Sequence, residues 1–186
     1  MTIDDLLGRH ATLTIRRFGS PGALLAVNAD EEVLLIGAEI PAGAKVGDEV
    51  TVFVYLDSEA RPIATTRAAK LEVGEVAFLE VTSLTEYGAF VDVGVAKELL
   101  VPFAEQTADM HPGGRYAVGL YVDASGRLAG TMRVAEMLST TRAEWKEDEW
   151  VEGEAWRNDP EIGLFVIVER AFVGLVPRTE LGSTMA

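Results

Sequence analysis

From residue 77 onward the chain alternates between apolar and polar positions. AFLEVTS (77–83) alternates, GAFVDV (88–93) alternates, ELLVP (98–102) is a short apolar run, RYAVGLYVD (115–123) alternates again, and RLAGTMR (127–133) closes the set. A period of two places successive side chains on opposite faces of an extended chain, so each stretch reads as a β-strand with one buried face. Asp123-Ala-Ser-Gly126 supplies a hairpin loop between the last two strands. The longer connection 103–114 has room for one helical turn between the third and fourth. Five strands in so short a segment predict a small closed barrel of the OB type, and an all-β fold class.

The same unit occurs twice. A shift of 66 residues lays 5–66 on 71–132 without a gap, with 17 identities in 62 pairs. Gly8 falls on Gly74, Gly22-Ala23 on Gly88-Ala89, Tyr55 on Tyr121, Asp57 on Asp123 and Arg61 on Arg127. A third, shorter copy follows, in which GLFVIVERAFVGLVPRTE (163–180) repeats GAFVDVGVAKELLVPFAE (88–105). Nothing after Glu180 corresponds to the last two strands of the unit. The expected organisation is a first barrel over 1–69, a second over 70–138, a linker over 139–152 and a partial third barrel over 153–186. Residues 134–153 read as a short helix and linker, in which Trp145 and Trp150 are expected to pack against a neighbouring barrel. A three-stranded remnant leaves strand edges uncovered, so 151–186 is expected to be poorly ordered, packed on the linker or paired with another molecule.

Charge narrows the partners. The net charge is −14, and no segment is basic: residues 1–70 hold 7 basic and 10 acidic side chains, 71–138 hold 4 and 10, and 139–186 hold 5 and 10. Affinity for long nucleic acid comes largely from phosphate neutralisation, so duplex DNA is an unfavourable partner, and RNA binding must rest on stacking and a few local cations. The chain has no cysteine, which removes disulfides and thiolate chemistry and suits a reducing cytoplasm. The acidic N-terminal stretch MTIDDLLG is unlike a secretion signal, and no apolar run is long enough for a membrane span.

Phe90 is the residue that alternation does not explain. With Ala89, Val91 and Val93 turned inward, Phe90 shares the outer face with Gly88 and Asp92. On an OB barrel that is the strand-two and strand-three face, where oligonucleotides bind, and an exposed ring there is a stacking platform. Tyr87 and Phe103 extend it, Arg127 and Arg133 flank the fifth strand as cations, and Phe165 occupies the place of Phe90 in the third copy. The first copy has Pro21 and Leu24 where the second has Tyr87 and Phe90, so it reads as a structural or protein-contact module. For each arginine the competing reading is salt bridging to nearby carboxylates, and the recurrence of Asp57 with Arg61 and Asp123 with Arg127 argues first for a structural hairpin. His10 and His111 are isolated, no phosphate-binding glycine loop is present, and acidic runs such as Glu147-Asp148-Glu149 read as solvated loops. No catalytic residue, metal site or cofactor is expected.

The phrase YGAFV (87–91), with LLVPFAE (99–105), GLVPRTE (174–180) and VGDEV (46–50), resembles the S-one (S1) RNA-binding domain. The histidine which that family often carries on its RNA face is replaced by Pro102 and Pro177. KELLVPFAEQ, the stretch 148–177 and the tandem order resemble the bacterial family of conserved virulence factor B. That resemblance implies three such barrels followed by a winged helix, RNA binding and an influence on gene expression, with this chain an N-terminal fragment. Two function classes therefore stand: a non-enzymatic binder of single-stranded RNA, and an acidic scaffold that docks other proteins through the same rings. Salt dependence separates them, because RNA binding weakens with added salt.

Overall fold

The computed structural model describes residues 1–138 and 144–182. A four-residue helix, Ile3–Leu6, starts the chain and is closed by a capping box between Thr2 and Asp5. Five strands follow: β1 (His10–Phe18), β2 (Gly22–Ala26), β3 (Glu32–Ile36), β4 (Glu49–Leu56) and β5 (Pro62–Thr65). They close into a barrel in the order β1-β2-β3-β5-β4. Closure comes from the parallel pair β3–β5, with Leu34 opposite Ile63 and Leu35 opposite Ala64. Leu13, Ile15, Leu25, Val33, Leu35, Val52 and Val54 fill the interior, as their alternation requires.

The second copy repeats this path with β6 (Val76–Thr85), β7 (Gly88–Val91), β8 (Leu99–Pro102), β9 (Arg115–Val122) and β10 (Leu128–Thr131). Its hydrogen-bonded order is β10-β9-β6-β7-β8, so the ladder stops short of full closure. The ends β8 and β10 still pack together, because a side chain at Gly130 would meet Val101 and Val118 at 2.9 Å and Leu99 at 3.1 Å. The two units are tandem OB-type barrels. The glycine that opens the second strand of each copy has a steric reason: a Cβ on Gly22 would lie 2.0 Å from the Leu35 carbonyl oxygen, on Gly88 2.2 Å from that of Val101, and on Gly163 2.2 Å from that of Val176.

The barrels are pinned to each other. In β4, Val50, Val52 and Val54 turn into the first barrel, which leaves Phe53 pointing out. That ring is only 2% exposed, because it enters the core of the second barrel beside Leu71, Leu79 and Leu120. The His10 ring lies 5.1 Å from it, donates from Nδ1 to Glu72 Oε1 at 2.9 Å and accepts at Nε2 from the Ala69 N–H at 3.1 Å. His10 is thus a half-buried strut of the joint. The backbone adds a bond across the joint, from the Val73 N–H to the Gly8 carbonyl at 2.9 Å.

The third copy forms an antiparallel meander of β11 (Gly153–Asp159), β12 (Gly163–Val168) and β13 (Phe172–Pro177). Of the outcomes expected for this remnant, packing is the one seen: Val76 donates to the Arg170 carbonyl at 2.7 Å, and Ile167 joins Val76, Val134 and Leu138 in a small core. The predicted helix after the second barrel is a single 3-10 turn, Val134–Glu136, and residues 139–143 of the expected linker lie outside the described residues. Trp145 packs edge-on against Phe172 of the third sheet, with ring centroids 4.9 Å apart. Trp150 is 97% exposed, a correction to the expectation that it packs, since no barrel surface reaches it.

Candidate nucleic-acid interface

Pairing between β7 and β8 sets Gly88 opposite Pro102 and Phe90 opposite Leu100. The intervening residues Ala89, Val91, Leu99 and Val101 are buried in the barrel, so Phe90, Leu100 and Pro102 form an apolar outer strip. Tyr87 and Phe103 stand at its end, joined by the Phe103 N–H on the Tyr87 carbonyl at 3.3 Å. Tyr87 is 69% and Phe103 59% exposed, both free for contact. Phe103 is presented by a 3-10 turn, Phe103–Glu105, the helical turn foreseen in the connection.

Phe90 itself is half-buried, and its surroundings are not those of an open surface. It lines a groove of about 340 Å³ whose opposite wall is the β4–β5 hairpin of the first barrel, with Tyr55, Ser58 and Ala60. Leu100, Pro102 and Arg127 share the lining. Lys97 bridges the two sides, donating from Nζ to the Asp57 carbonyl at 3.0 Å. Sequence reasoning missed the first-barrel residues because alternation within one repeat carries no information about how repeats dock. It treated Pro102 as a lost contact, whereas Pro102 is part of the apolar wall.

The two matched arginines differ in state. Arg61 Nε lies 2.9 Å from Asp57 Oδ2 and its NH2 lies 2.7 Å from Glu59 Oε2. In the second hairpin Ser125 stands where Glu59 stands in the first, and its hydroxyl donates to Asp123 Oδ1 at 2.5 Å. The Asp123 carboxyl is held below the usual range by the Ser125 hydroxyl first and the Arg127 N–H next. Among the described residues no carboxylate lies within 4.0 Å of the Arg127 guanidinium, which leaves it available to the groove.

Other expected contacts lie elsewhere. Arg133 donates to the Ala104 carbonyl at 3.2 Å, approaches Glu105 at 4.0 Å, and lines a different groove with Arg115 and Trp156. Phe165 lies on β12 with the Arg157 guanidinium over its ring, 4.7 Å from the centroid. The structure thus places Phe90 and Arg127 in one groove and Tyr87 with Phe103 at the end of the same strip, outside its lining, while Arg133 and Phe165 lie elsewhere. Among the described residues no group of His, Asp and Glu is placed to hold a metal ion. No helix among them is long and apolar enough to cross a membrane, an observation silent on strand-built membrane barrels.

Comparison with known proteins places this geometry. The chain is 25% identical to conserved virulence factor B of Staphylococcus epidermidis over 191 aligned positions, which span 97% of this chain and 64% of that protein. It is 34% identical to the uncharacterized protein YitL of Bacillus subtilis over half of this chain and 32% of the relative. The chain therefore spans about two thirds or less of these relatives. Among solved structures, a Streptococcus pneumoniae multidomain protein with nucleic acid binding domains superposes with a TM-score of 0.59 at 19% identity, over 96% of this chain and 65% of that one. That likeness bears on the fold. The S1 domain model matches residues 7–67 and 73–133, the two barrels in full, and the chain belongs to the S1 domain family.

Proposed function

We propose that this chain is a non-catalytic binder of single-stranded RNA that acts through stacking on the outer face of the second barrel. The observation that carries the reading is the outer strip of Phe90, Leu100 and Pro102, with exposed Tyr87 and Phe103 at its end and Arg127 in the same groove as Phe90. Membership of the S1 domain family supports it, and so does the likeness to the S. pneumoniae multidomain protein with nucleic acid binding domains. An effect on gene expression, as the resemblance to conserved virulence factor B implies, belongs to the same proposal. So does the division into barrels over 1–69 and 70–138, a linker over 139–152 and a partial unit over 153–186. Stacking accepts every base, so sequence preference is slight.

The test is fluorescence anisotropy with a short labelled oligoadenylate. Phe90→Ala combined with Tyr87→Ala is expected to weaken binding roughly tenfold or more, since each stacked base is worth roughly 1–3 kcal/mol. Unchanged affinity sinks the site. The net charge of −14 favours a second reading, a scaffold that docks proteins through the same rings. A salt titration divides the two, because binding that holds its strength as salt rises does not come from phosphate contacts.

A further inference from the structure

We infer that the first barrel supplies the second wall of the ligand site, and that the groove between the barrels is a single-nucleotide subsite, with the base on Phe90 and the phosphate at Arg127. This rests on the RNA reading of the second barrel and extends it to a copy that lacks both aromatic rings.

Four observations carry it. The walls are fixed relative to each other, because Phe53, the His10–Glu72 pair and the Val73 N–H on the Gly8 carbonyl hold the barrels together. A preformed cleft loses little freedom when it binds. The volume, about 340 Å³, falls within the range of small-ligand clefts, about 300–1,000 Å³. The lining is apolar on both sides, with Phe90, Leu100 and Pro102 facing Tyr55 and Ala60, which suits a planar base inserted edgewise. The charge is set at the rim: Asp57 is occupied by Arg61, Asp123 by Ser125, and the Arg127 guanidinium is unpaired among the described residues. An apolar slot beside one uncommitted arginine is complementary to a base and its phosphate. Glu98, the remaining carboxylate of the second-barrel wall, is accompanied in the lining by Lys97.

The experiment uses the full chain and the same oligoadenylate. Ser58 is exposed at the tip of the first-barrel hairpin, so Ser58→Glu places a carboxylate at the groove without disturbing either core. It is expected to weaken binding about fivefold, as a like charge a few ångströms from a phosphate does at a partly screened site. Ala38→Glu, the same charge change at an exposed first-barrel position outside the groove lining, is expected to change affinity less than about twofold. Nuclear Overhauser contacts from the Ala60 methyl to adenine protons of the bound oligonucleotide are the direct signature. Equal effects of Ser58→Glu and Ala38→Glu, or no contact at Ala60 when binding is saturated, overturn the inference. If Phe90→Ala still weakens binding in that case, the stacking proposal survives without the first-barrel wall. If Phe90→Ala is silent too, both are wrong.

Discussion

The two barrels share a core and differ at the surface. Along the matched strands the inward residues stay apolar, as at Leu13 and Leu79, Ile15 and Val81, or Val52 and Val118. Outside, single exchanges reassign whole functions. Leu24 in the first barrel faces Phe90 in the second, Glu59 faces Ser125, and Phe53 faces Gly119. One exchange places an aromatic ring in the groove, the next leaves an arginine without a carboxylate partner among the described residues, and the last decides which barrel carries the joint. A duplicated fold can thus be kept while the outer surfaces of its copies diverge.

The sharpest way to break the comparison is to remove the joint. Phe53→Ala empties a fully buried aromatic site between the barrels and is expected to cost about 3–5 kcal/mol in urea unfolding. The cost should appear as a separation of the two barrels' transitions. An unfolding curve that stays single and keeps its midpoint would show that the barrels do not depend on this ring.

A matched pair of glycines sharpens it further. Gly8 and Gly74 both have positive φ, +73° and +89°, but a Cβ on Gly8 would sit 2.3 Å from Val73 Cγ2, while nothing lies within 4 Å of one on Gly74. Gly74→Ala bears the conformational penalty alone, about 1 kcal/mol. Gly8→Ala bears the same penalty and also pushes on the joint, for about 2–3 kcal/mol in total. Equal losses from the two substitutions would refute a steric role for Gly8.

Acid should weaken the same joint. Burial alone would raise the Glu72 carboxyl, but the backbone N–H and ring of His10, with the charge of Arg9, outweigh it and hold the group below the ordinary range. A carboxyl lowered in the folded state stabilises it fully above its unfolded pKa, about 4.3, and loses that contribution as pH falls through the lower folded value. Stability should therefore decline below about pH 4, and Glu72→Gln should flatten that part of the profile. A variant with an unaltered acid limb removes Glu72 from the account.

The smallest effect concerns the hairpins. Ser125→Glu restores the pairing seen around Arg61 and is expected to weaken oligoadenylate binding about threefold by engaging Arg127. The reciprocal change, Glu59→Ser, should leave binding nearly unchanged, since Arg61 keeps Asp57. If the two variants behave alike, the state of the arginine is irrelevant to the ligand.

Strand positions were legible in the sequence because alternation is local. The second barrel's strands end within a few residues of where the pattern places them, and the outward parity of Phe90 is the one that β7 adopts. The role of Phe53 was not legible, since an aromatic residue out of phase in VTVFVYL has the same pattern whether it meets water or another domain. For the same reason the groove wall at Ser58 and Ala60 was invisible, and Arg127 read as a copy of Arg61. Those features depend on contacts across a repeat boundary, or on a hydroxyl replacing a carboxylate two residues away.

The exchange of Phe53 for Gly119 has a further consequence. The contact between the barrels is head-to-tail, and a surface that joins unit to unit in that manner generates open filaments when every unit carries both halves. In the second barrel a side chain at the matching position would strike the Met137 sulfur at 2.2 Å, and that methionine instead lies over the bare glycine. The aromatic knob of the first joint is therefore replaced at the second, where Met137 packs with Val76, Val134 and Ile167 and the third sheet is attached through a smaller aliphatic contact.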